Sequence, residues 1–288
     1  MNGDWHVKLS PQRLRSNSVM PWFASSRMAS LVLAFACAAI ACASHAAEGD
    51  KPFEPVVGQA GRDVVWVPTP EALVEKMLDV AKVTPQDFVM DLGSGDGRNI
   101  IAAAKRGANA VGVEYNPDMV ELSRRNAEKA GVAGKAQFIQ GDMYVADISK
   151  ASVLALFLLP ENMNKLVDKF LALKPGSRIV SNHFSASGWE ADESGRLEGD
   201  CGSWCSWLLF IVPAQAAGRW RLQKGELELE QKFQMLTGTY TVDGVATAIE
   251  KGRLLGEQIT FTIGGNEYKG KVSADAMVGA GWNATRLR

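Results

Sequence analysis

Histidine and cysteine are the scarce residues of this 288-residue chain, at three and four copies, and tyrosine is as rare as cysteine. So few soft ligands leave little to build a metal cluster from, and no metal site is expected. A basic excess is also missing: 31 lysines and arginines stand against 32 acidic residues. Without surplus positive charge there is nothing to neutralise a run of phosphates, so nucleic acid is not an expected partner. Long apolar runs are absent except for one near the N-terminus, which excludes a multi-span membrane protein. With 47% hydrophobic residues the composition is nevertheless that of a folded chain, not a disordered one.

The single apolar run has a recognisable setting. Lys8, Arg13, Arg15 and Arg27 precede it, residues 28–47 carry no charge, and small residues follow at Ala41, Ala43, Ser44, Ala46 and Ala47. This pattern reads as a secretory signal peptide over residues 1–46, cut after Ala43 or Ala46. An uncleaved membrane anchor is the alternative, and would be the protein's one expected contact with a membrane. A lipoprotein reading through Cys37 or Cys42 lacks a leucine-rich lipobox. In every version the rest of the chain is expected outside the cytoplasm, in the periplasm. Removing residues 1–46 leaves 27 basic and 31 acidic residues, a single histidine, His183, and two cysteines, Cys201 and Cys205.

Those two cysteines lie in Cys-Gly-Ser-Trp-Cys, and in an oxidising compartment they are expected to form a loop disulfide. Fully extended, the segment would hold their Cα atoms roughly 13 Å apart, so it must turn at Gly202. A redox-active pair is the competing reading, although the spacing is not Cys-x-x-Cys.

Residues 47–63 read as a linker. From Thr69 to about residue 183, helix-period segments alternate with strand-like ones, the rhythm of a parallel sheet with crossover helices. Thr69 is placed to cap a helix with Pro70 in its first turn and Ala72, Leu73, Met77, Leu78 and Ala81 on its buried stripe. Strands are expected at 88–92, 110–114, 136–140, 153–157 and 178–181, with helices near 98–106, 118–130 and 161–172. Leu208 to Val212 reads as an antiparallel strand of the same sheet, and this α/β domain spans 64–212. Beyond residue 218 the texture changes to alternating polar and apolar residues with glycine at 238, 244, 252, 256, 264, 265, 270, 279 and 281. That predicts a small antiparallel β domain over 218–288, about six short strands in a curved sheet or partial barrel.

The chemistry lies at strand ends. The first strand runs into Asp91-Leu92-Gly93-Ser94-Gly95-Asp96-Gly97-Arg98 and then directly into a helix, so a ligand can approach a glycine-lined backbone and free helix N–H groups. The second strand ends in Glu114, followed by Tyr115-Asn116-Pro117, where a carboxylate can accept both hydroxyls of a ribose. The third ends in Gly141-Asp142-Met143, beside the adenine of such a ligand. A nicotinamide dinucleotide fits poorly, since its fingerprint needs glycine at 98, which is arginine here. Asp91, Asp96, Glu114 and Asp142 also ring the site with four carboxylates, each repelling a pyrophosphate by roughly 1 kcal/mol at 4 Å in water. A ribose ligand with a sulfonium and an ammonium and no phosphate suits that ring, and S-adenosyl-L-methionine is such a ligand.

At these motifs the chain resembles the class I, seven-strand S-adenosylmethionine-dependent methyltransferases, nearest the branch of ATP synthase c-subunit lysine N-methyltransferases and their bacterial relatives. The resemblance covers about residues 64–212. It implies a Rossmann-like seven-strand sheet with helices on both faces, Asp91 and Gly93 by the amino-acid end of the cofactor, Glu114 on the ribose, and Asp142 and Met143 flanking the adenine. Val67-Pro68-Thr69-Pro70 resembles the family's cover over the methionine end. Thr69, Ser94, Gly95, Asp96, Gly97 and Asn116 complete the expected cofactor site. No Asn-Pro-Pro-Tyr motif follows the fourth strand, where Leu158-Leu159-Pro160-Glu161-Asn162 stands instead, so no catalytic residue is assigned.

The expected activity is methyl transfer to an unidentified protein or small-molecule acceptor, with a protein lysine implied by the resemblance. Glu161, Asn162, Asn182 and His183 lie at strand ends where ligands gather. His183 reads as a hydrogen-bonded structural side chain before it reads as a base. Trp189, Trp204 and Trp207 read as packing residues before an acceptor cage. Export and a cofactor made in the cytoplasm are in tension. The alternative is therefore an exported binding protein with a retired methyltransferase fold, whose β domain, faintly similar to lipocalin-like sheets through Gly218-Arg219-Trp220, binds a ligand or partner.

Overall fold

The computed structural model describes residues 52–199 and 201–288. The expected signal peptide lies outside the described residues. Strands β1 (Phe88–Leu92), β2 (Asn109–Glu114), β3 (Ala136–Gln140), β4 (Val153–Leu156), β5 (Arg178–Asn182), β6 (Glu193–Arg196) and β7 (Ser206–Ile211) form one seven-stranded sheet in the order β3-β2-β1-β4-β5-β7-β6. The first five are parallel, while β7 runs antiparallel to both β5 and β6. The order reverses between β2 and β4, around β1, which makes the carboxyl end of β1 the crevice where an open α/β sheet takes its ligand.

Helices cover both faces, as expected. Helices α1 (Glu71–Val80), α2 (Arg98–Lys105) and α3 (Pro117–Lys129) bury Leu73, Met77, Leu78, Ile100, Val120 and Ala127 on one face. Helix α4 (Pro160–Leu171) buries Met163, Leu166 and Phe170 on the other. Full burial of each such side chain contributes roughly 1.5–3 kcal/mol, which holds the crossover units on the sheet.

Several local expectations are corrected. Pro70, not Thr69, is the N-cap of α1, and no side chain caps it. Ala72 is exposed, and Val74 takes its place on the buried stripe. Strand β6 was not expected, because Glu-Ser-Gly-Arg is polar and its only partner in the sheet is β7.

Residues 218–286 form an eight-stranded closed antiparallel barrel instead of six strands in an open or partial one: β8 (Gly218–Leu222), β9 (Gly225–Lys232), β10 (Met235–Val242), β11 (Val245–Leu255), β12 (Gln258–Ile263), β13 (Asn266–Val272), β14 (Ala276–Gly279) and β15 (Trp282–Arg286). The undercount has a physical cause. Two of the hairpin turns carry positive φ on Gln223 and Phe233, so β8, β9 and β10 are separated without the glycine that marks most of the other turns. The barrel interior is filled by Trp220, Leu222, Leu227, Leu229, Leu254, Ile259, Phe261 and Met277. An eight-stranded barrel is wide enough either for a packed core or for one small ligand, and here these apolar side chains pack together as one buried cluster.

Trp189 and Trp207 are buried, as expected of packing residues. Trp189 stacks on Phe233, with ring centroids 5.1 Å apart and planes 4° from parallel. Phe233 is the turn between β9 and β10, so this stack joins the barrel to the sheet domain. Asp192 Oδ1 accepts from the Arg253 guanidinium at 2.7 Å and Asp192 Oδ2 from the Ile211 N–H at 2.7 Å, which makes a second tie.

Candidate active site

The cleft at the carboxyl ends of β1, β2 and β3 has an empty volume of about 930 Å³, open solvent at its mouth included. That suits a drug-sized ligand. Its walls include ten of the eleven residues expected at the cofactor site: Thr69, Asp91, Gly93, Ser94, Gly95, Asp96, Glu114, Asn116, Asp142 and Met143.

The glycine turn is built by its neighbours. Gly93 and Ser94 donate their N–H groups to the Val113 carbonyl at 2.7 and 3.1 Å. From α3, Ser123 Oγ donates to the Gly95 carbonyl at 2.7 Å and Asn126 Nδ2 to the Asp96 carbonyl at 3.0 Å. Gly95 has φ +55°, and a Cβ there would lie 2.8 Å from Trp66 Nε1, so only glycine admits the indole. Gly97 is the residue the structure does not bring to the cleft. It is the left-handed N-cap of α2, φ +84°, and a Cβ on it would meet the Phe138 ring at 2.7 Å. Its role is close packing of α2 and α3 on β3.

Glu114 is oriented by two backbone donors, Gly95 N–H to Oε2 and Asn116 N–H to Oε1, both at 2.9 Å. Each oxygen keeps a free lone pair, the arrangement that suits a vicinal diol. Asn116 spends its side-chain oxygen on the Asp118 N–H as the cap of α3, so it acts on the cleft chiefly by holding Glu114. Asp91 is 3% exposed, and its Oδ2 accepts from Asn99 Nδ2 at 3.0 Å. Burial pushes its carboxyl up to about 8 against the pull of the Asn99 hydrogen bond, with the charges of Glu114 and Asp96 pushing the same way.

All four carboxylates line the cleft, and two of them are paired with arginines. Asp96 is held by Arg98, whose Nε reaches Oδ1 at 2.9 Å while Nη1 donates to the Thr69 carbonyl at 2.7 Å. Asp142 Oδ2 is paired with Arg62 Nη1 at 2.8 Å, and its Oδ1 accepts from the Tyr144 N–H at 2.8 Å. Among the described residues, none with a cationic side chain pairs with Asp91 or Glu114. The cleft is therefore less acidic than four adjacent motif residues imply, though Glu114, and Asp91 once it ionises, still favour a cationic ligand.

Arg62 belongs to a segment that sequence reasoning assigned to a linker. Residues 58–66 fold into a small hairpin, with Gly58 N–H donating to the Trp66 carbonyl and Trp66 N–H to the Gln59 carbonyl, both at 2.9 Å. Residues 59–67 line the cleft, and the Arg62 guanidinium sits 4.4 Å from the centre of the Tyr115 ring. The partner that gives Arg62 a role is 80 residues away.

Of the other strand-end residues, Glu161 is exposed and paired with Lys165 at 2.8 Å, and Asn162 is buried with its Nδ2 on the Tyr144 hydroxyl at 2.7 Å. Neither lines the cleft. Phe157, which was not singled out, does. Cys201 and Cys205 are joined in a disulfide with Cα atoms 5.7 Å apart.

A family model, ANTKMT methyltransferase domain, matches residues 91–193. A protein-lysine N-methyltransferase of Saccharolobus islandicus is 45% identical over 139 residues, 47% of this chain and 86% of that protein. The chain belongs to the class I S-adenosylmethionine-dependent methyltransferases. The mouse ATP synthase c-subunit lysine N-methyltransferase is 37% identical over 130 residues, 45% of this chain, and the match spans about half of that protein's length, 52%. An RNA methyltransferase of Salinibacter ruber, solved with S-adenosyl-L-homocysteine, is 43% identical over 52% of this chain and 96% of its own, with a TM-score of 0.49. The enzyme is therefore an S-adenosylmethionine-dependent methyltransferase, and its cleft fits that cofactor. Glu114 offers paired acceptors on the cleft wall, and Gly93 beside it is exposed.

Proposed function

We propose that the chain transfers a methyl group from S-adenosylmethionine to the side-chain nitrogen of a protein lysine, and that it does so after export from the cytoplasm. The observation that carries the reaction class is the cleft around Glu114, with the unpaired carboxylates Asp91 and Glu114 on its wall. Lysine as the acceptor is supported by the relatives in Saccharolobus islandicus and mouse, both of which are protein-lysine methyltransferases by name. Export is supported by the basic, then apolar, then small-residue order of residues 1–47.

In this reading Glu114 accepts the two ribose hydroxyls, Asp142 and Met143 flank the adenine, and Asp91 faces the ammonium of the amino-acid end. Gly93 lies at the same end, and Thr69 with Val67 and Pro68 covers it. When bound, the cofactor supplies a methyl group activated by a positively charged sulfur. The protein's task is alignment and exclusion of water, because in-line displacement needs the nucleophile near 3 Å and little acid-base help. The lysine has to arrive without its proton, which an apolar approach favours by destabilising the ammonium form.

Calorimetric titration of the full-length chain with S-adenosylmethionine, and separately with NAD, tests the cofactor site. Micromolar binding of the first alone is expected, and Glu114→Ala should weaken it roughly 10- to 100-fold through the loss of two charge-assisted hydrogen bonds. Mass spectrometry of lysine-bearing peptides and an RNA oligonucleotide incubated with enzyme and cofactor then tests the acceptor. Methylation of the RNA alone would overturn the lysine assignment.

A further inference from the structure

Next to the cofactor cleft stands a group of aromatic rings that neither core accounts for. Phe157 lies just past β4 and forms part of the cleft wall. On its other side its ring centroid is 6.0 Å from Trp204 and 6.2 Å from Phe184. Phe184 and Trp204 are 5.5 Å apart, and His183 stands edge-on to both, at 4.9 and 5.0 Å. Phe157, Phe184 and Trp204 are only partly buried and His183 is exposed, so this wall faces water beside the cleft.

Two features hold the wall in place. His183 has φ +65°, a conformation that disfavours a side-chain-bearing residue and that persists only where its surroundings impose it. Trp204 is the residue before Cys205 in the disulfide loop, so the Cys201–Cys205 bond closes a five-residue ring whose largest side chain is the indole. Beside His183, Asn182 is fully buried with Oδ1 unpartnered, while its Nδ2 lies 3.4 Å from Oγ1 of Thr69 on the cleft wall. An unused buried acceptor, a strained backbone and water-facing aromatic surface thus meet beside the cleft.

We propose that Phe157, Phe184 and Trp204, braced by His183 and the Cys201–Cys205 loop, form the recognition wall for the methyl acceptor, and that the acceptor it takes is an alkylammonium side chain. The inference rests on the methyltransferase reading and adds to it the residues that choose the substrate. The chemistry follows from the rings. Four methylenes pack on aromatic faces, an ammonium is attracted by the ring quadrupole, and the partly apolar surround eases loss of the proton before attack. A nucleobase would stack on the same rings, which makes a nucleotide the competing ligand that the test has to separate. The disulfide and Trp204 lie beyond residue 193, where the match to the family model ends.

The test labels the full-length chain with 5-fluorotryptophan and saturates it with S-adenosyl-L-homocysteine, with binding of that ligand checked first by calorimetry. The Trp204 fluorine resonance, assigned through Trp204→Phe, is followed while N-acetyl-lysine methylamide is added, and in parallel N-acetyl-norleucine methylamide and adenosine monophosphate. A saturable shift with the lysine probe is expected, with the norleucine probe about fivefold weaker for lack of the charge. Trp204→Ala and the Cys201→Ser/Cys205→Ser pair should each weaken the lysine probe about tenfold, read by methyl-transfer KM, while leaving S-adenosyl-L-homocysteine affinity within about twofold. Trp204→Phe should recover most of the loss.

A Trp204 resonance that the lysine probe leaves unmoved while S-adenosyl-L-homocysteine binds normally would overturn the proposal, and so would a preference for adenosine monophosphate. Failure of the wild-type chain to bind S-adenosyl-L-homocysteine would instead overturn the methyltransferase reading on which the proposal rests. Apart from the assignment by the conservative Trp204→Phe, the wild-type titration does not depend on any variant folding.

Discussion

At the scale of single residues, the site is governed by how each carboxylate is partnered. Asp96 and Asp142 are held by Arg98 and Arg62, Glu114 is aligned by two backbone N–H groups, and Asp91 is buried with one amide donor. Asp91 carries the pH dependence. Its folded value is raised from 3.8 to about 8, so between those values the folded chain binds a proton that the unfolded chain has released. Its contribution to stability is therefore greatest below 3.8, falls as pH rises through the window, and is lowest above about 8. A cationic ligand reverses the balance, because it interacts best with the ionised form. S-adenosylmethionine affinity should rise with pH up to about 8, by at most about tenfold per unit, and then level off. Calorimetry at a series of pH values checks this, and Asp91→Asn should flatten the profile.

At the scale of elements, the glycine turn shows two jobs that share one sequence signature. Gly95 lets Trp66 approach, whereas Gly97 starts α2 in a left-handed conformation and leaves room for Phe138 of β3 and Ser123 of α3. Gly97→Ala therefore sets a side chain against an aromatic ring in an unfavourable backbone region. We expect a loss of about 2–4 kcal/mol, the strained conformation and the overpacking together. Urea unfolding reads it, and cofactor affinity per folded molecule should be unchanged, because Gly97 does not line the cleft. A loss of affinity without loss of stability would return Gly97 to the binding site. The hairpin at residues 58–66 is the contrasting element. It is held over the site by an ion pair and a cation–π contact that are both partly exposed, interactions worth roughly 0.5–1 kcal/mol each, so it is weakly tied compared with the turn beneath it.

At the scale of the whole molecule, the sheet domain and the barrel are separate cores joined by a few contacts. The Trp189–Phe233 stack and the Asp192–Arg253 pair carry much of that joint, with the Ala214 N–H to Gly256 carbonyl bond at 2.8 Å beside them. None of the cleft residues comes from the barrel. Deleting residues 218–288 should leave cofactor affinity within about threefold but lower thermal stability, because Trp189 and the Asp192 carboxylate, each 4% exposed, would lose their cover. Calorimetric titration and thermal unfolding of the truncated chain check both halves. Cofactor binding lost from a folded truncated sheet domain would show that the barrel supports the cleft from a distance.

Much of this was written locally. The parallel strands, the crossover helices and the motifs at 91–98, 114–117 and 141–143 were legible because each depends on neighbours in sequence: hydrophobic period, turn glycines, and carboxylates at strand ends. Three things were not. Closure of the barrel depends on β8 meeting β15 across the domain, and turns at Gln223 and Phe233 gave no glycine to count by. Neutralisation of Asp142 comes from Arg62, and the site's cover from a stretch that reads as linker. Trp204 packs at an edge, as expected, but that its neighbours there are Phe157, Phe184 and His183 follows only from the fold. Sequence alone determined which elements form and which cofactor chemistry they carry, since propensity and motif spacing act over a few residues. Tertiary structure alone decided which charges are cancelled and which aromatic rings gather at the entrance, because those energies depend on distances in space between residues far apart in the chain.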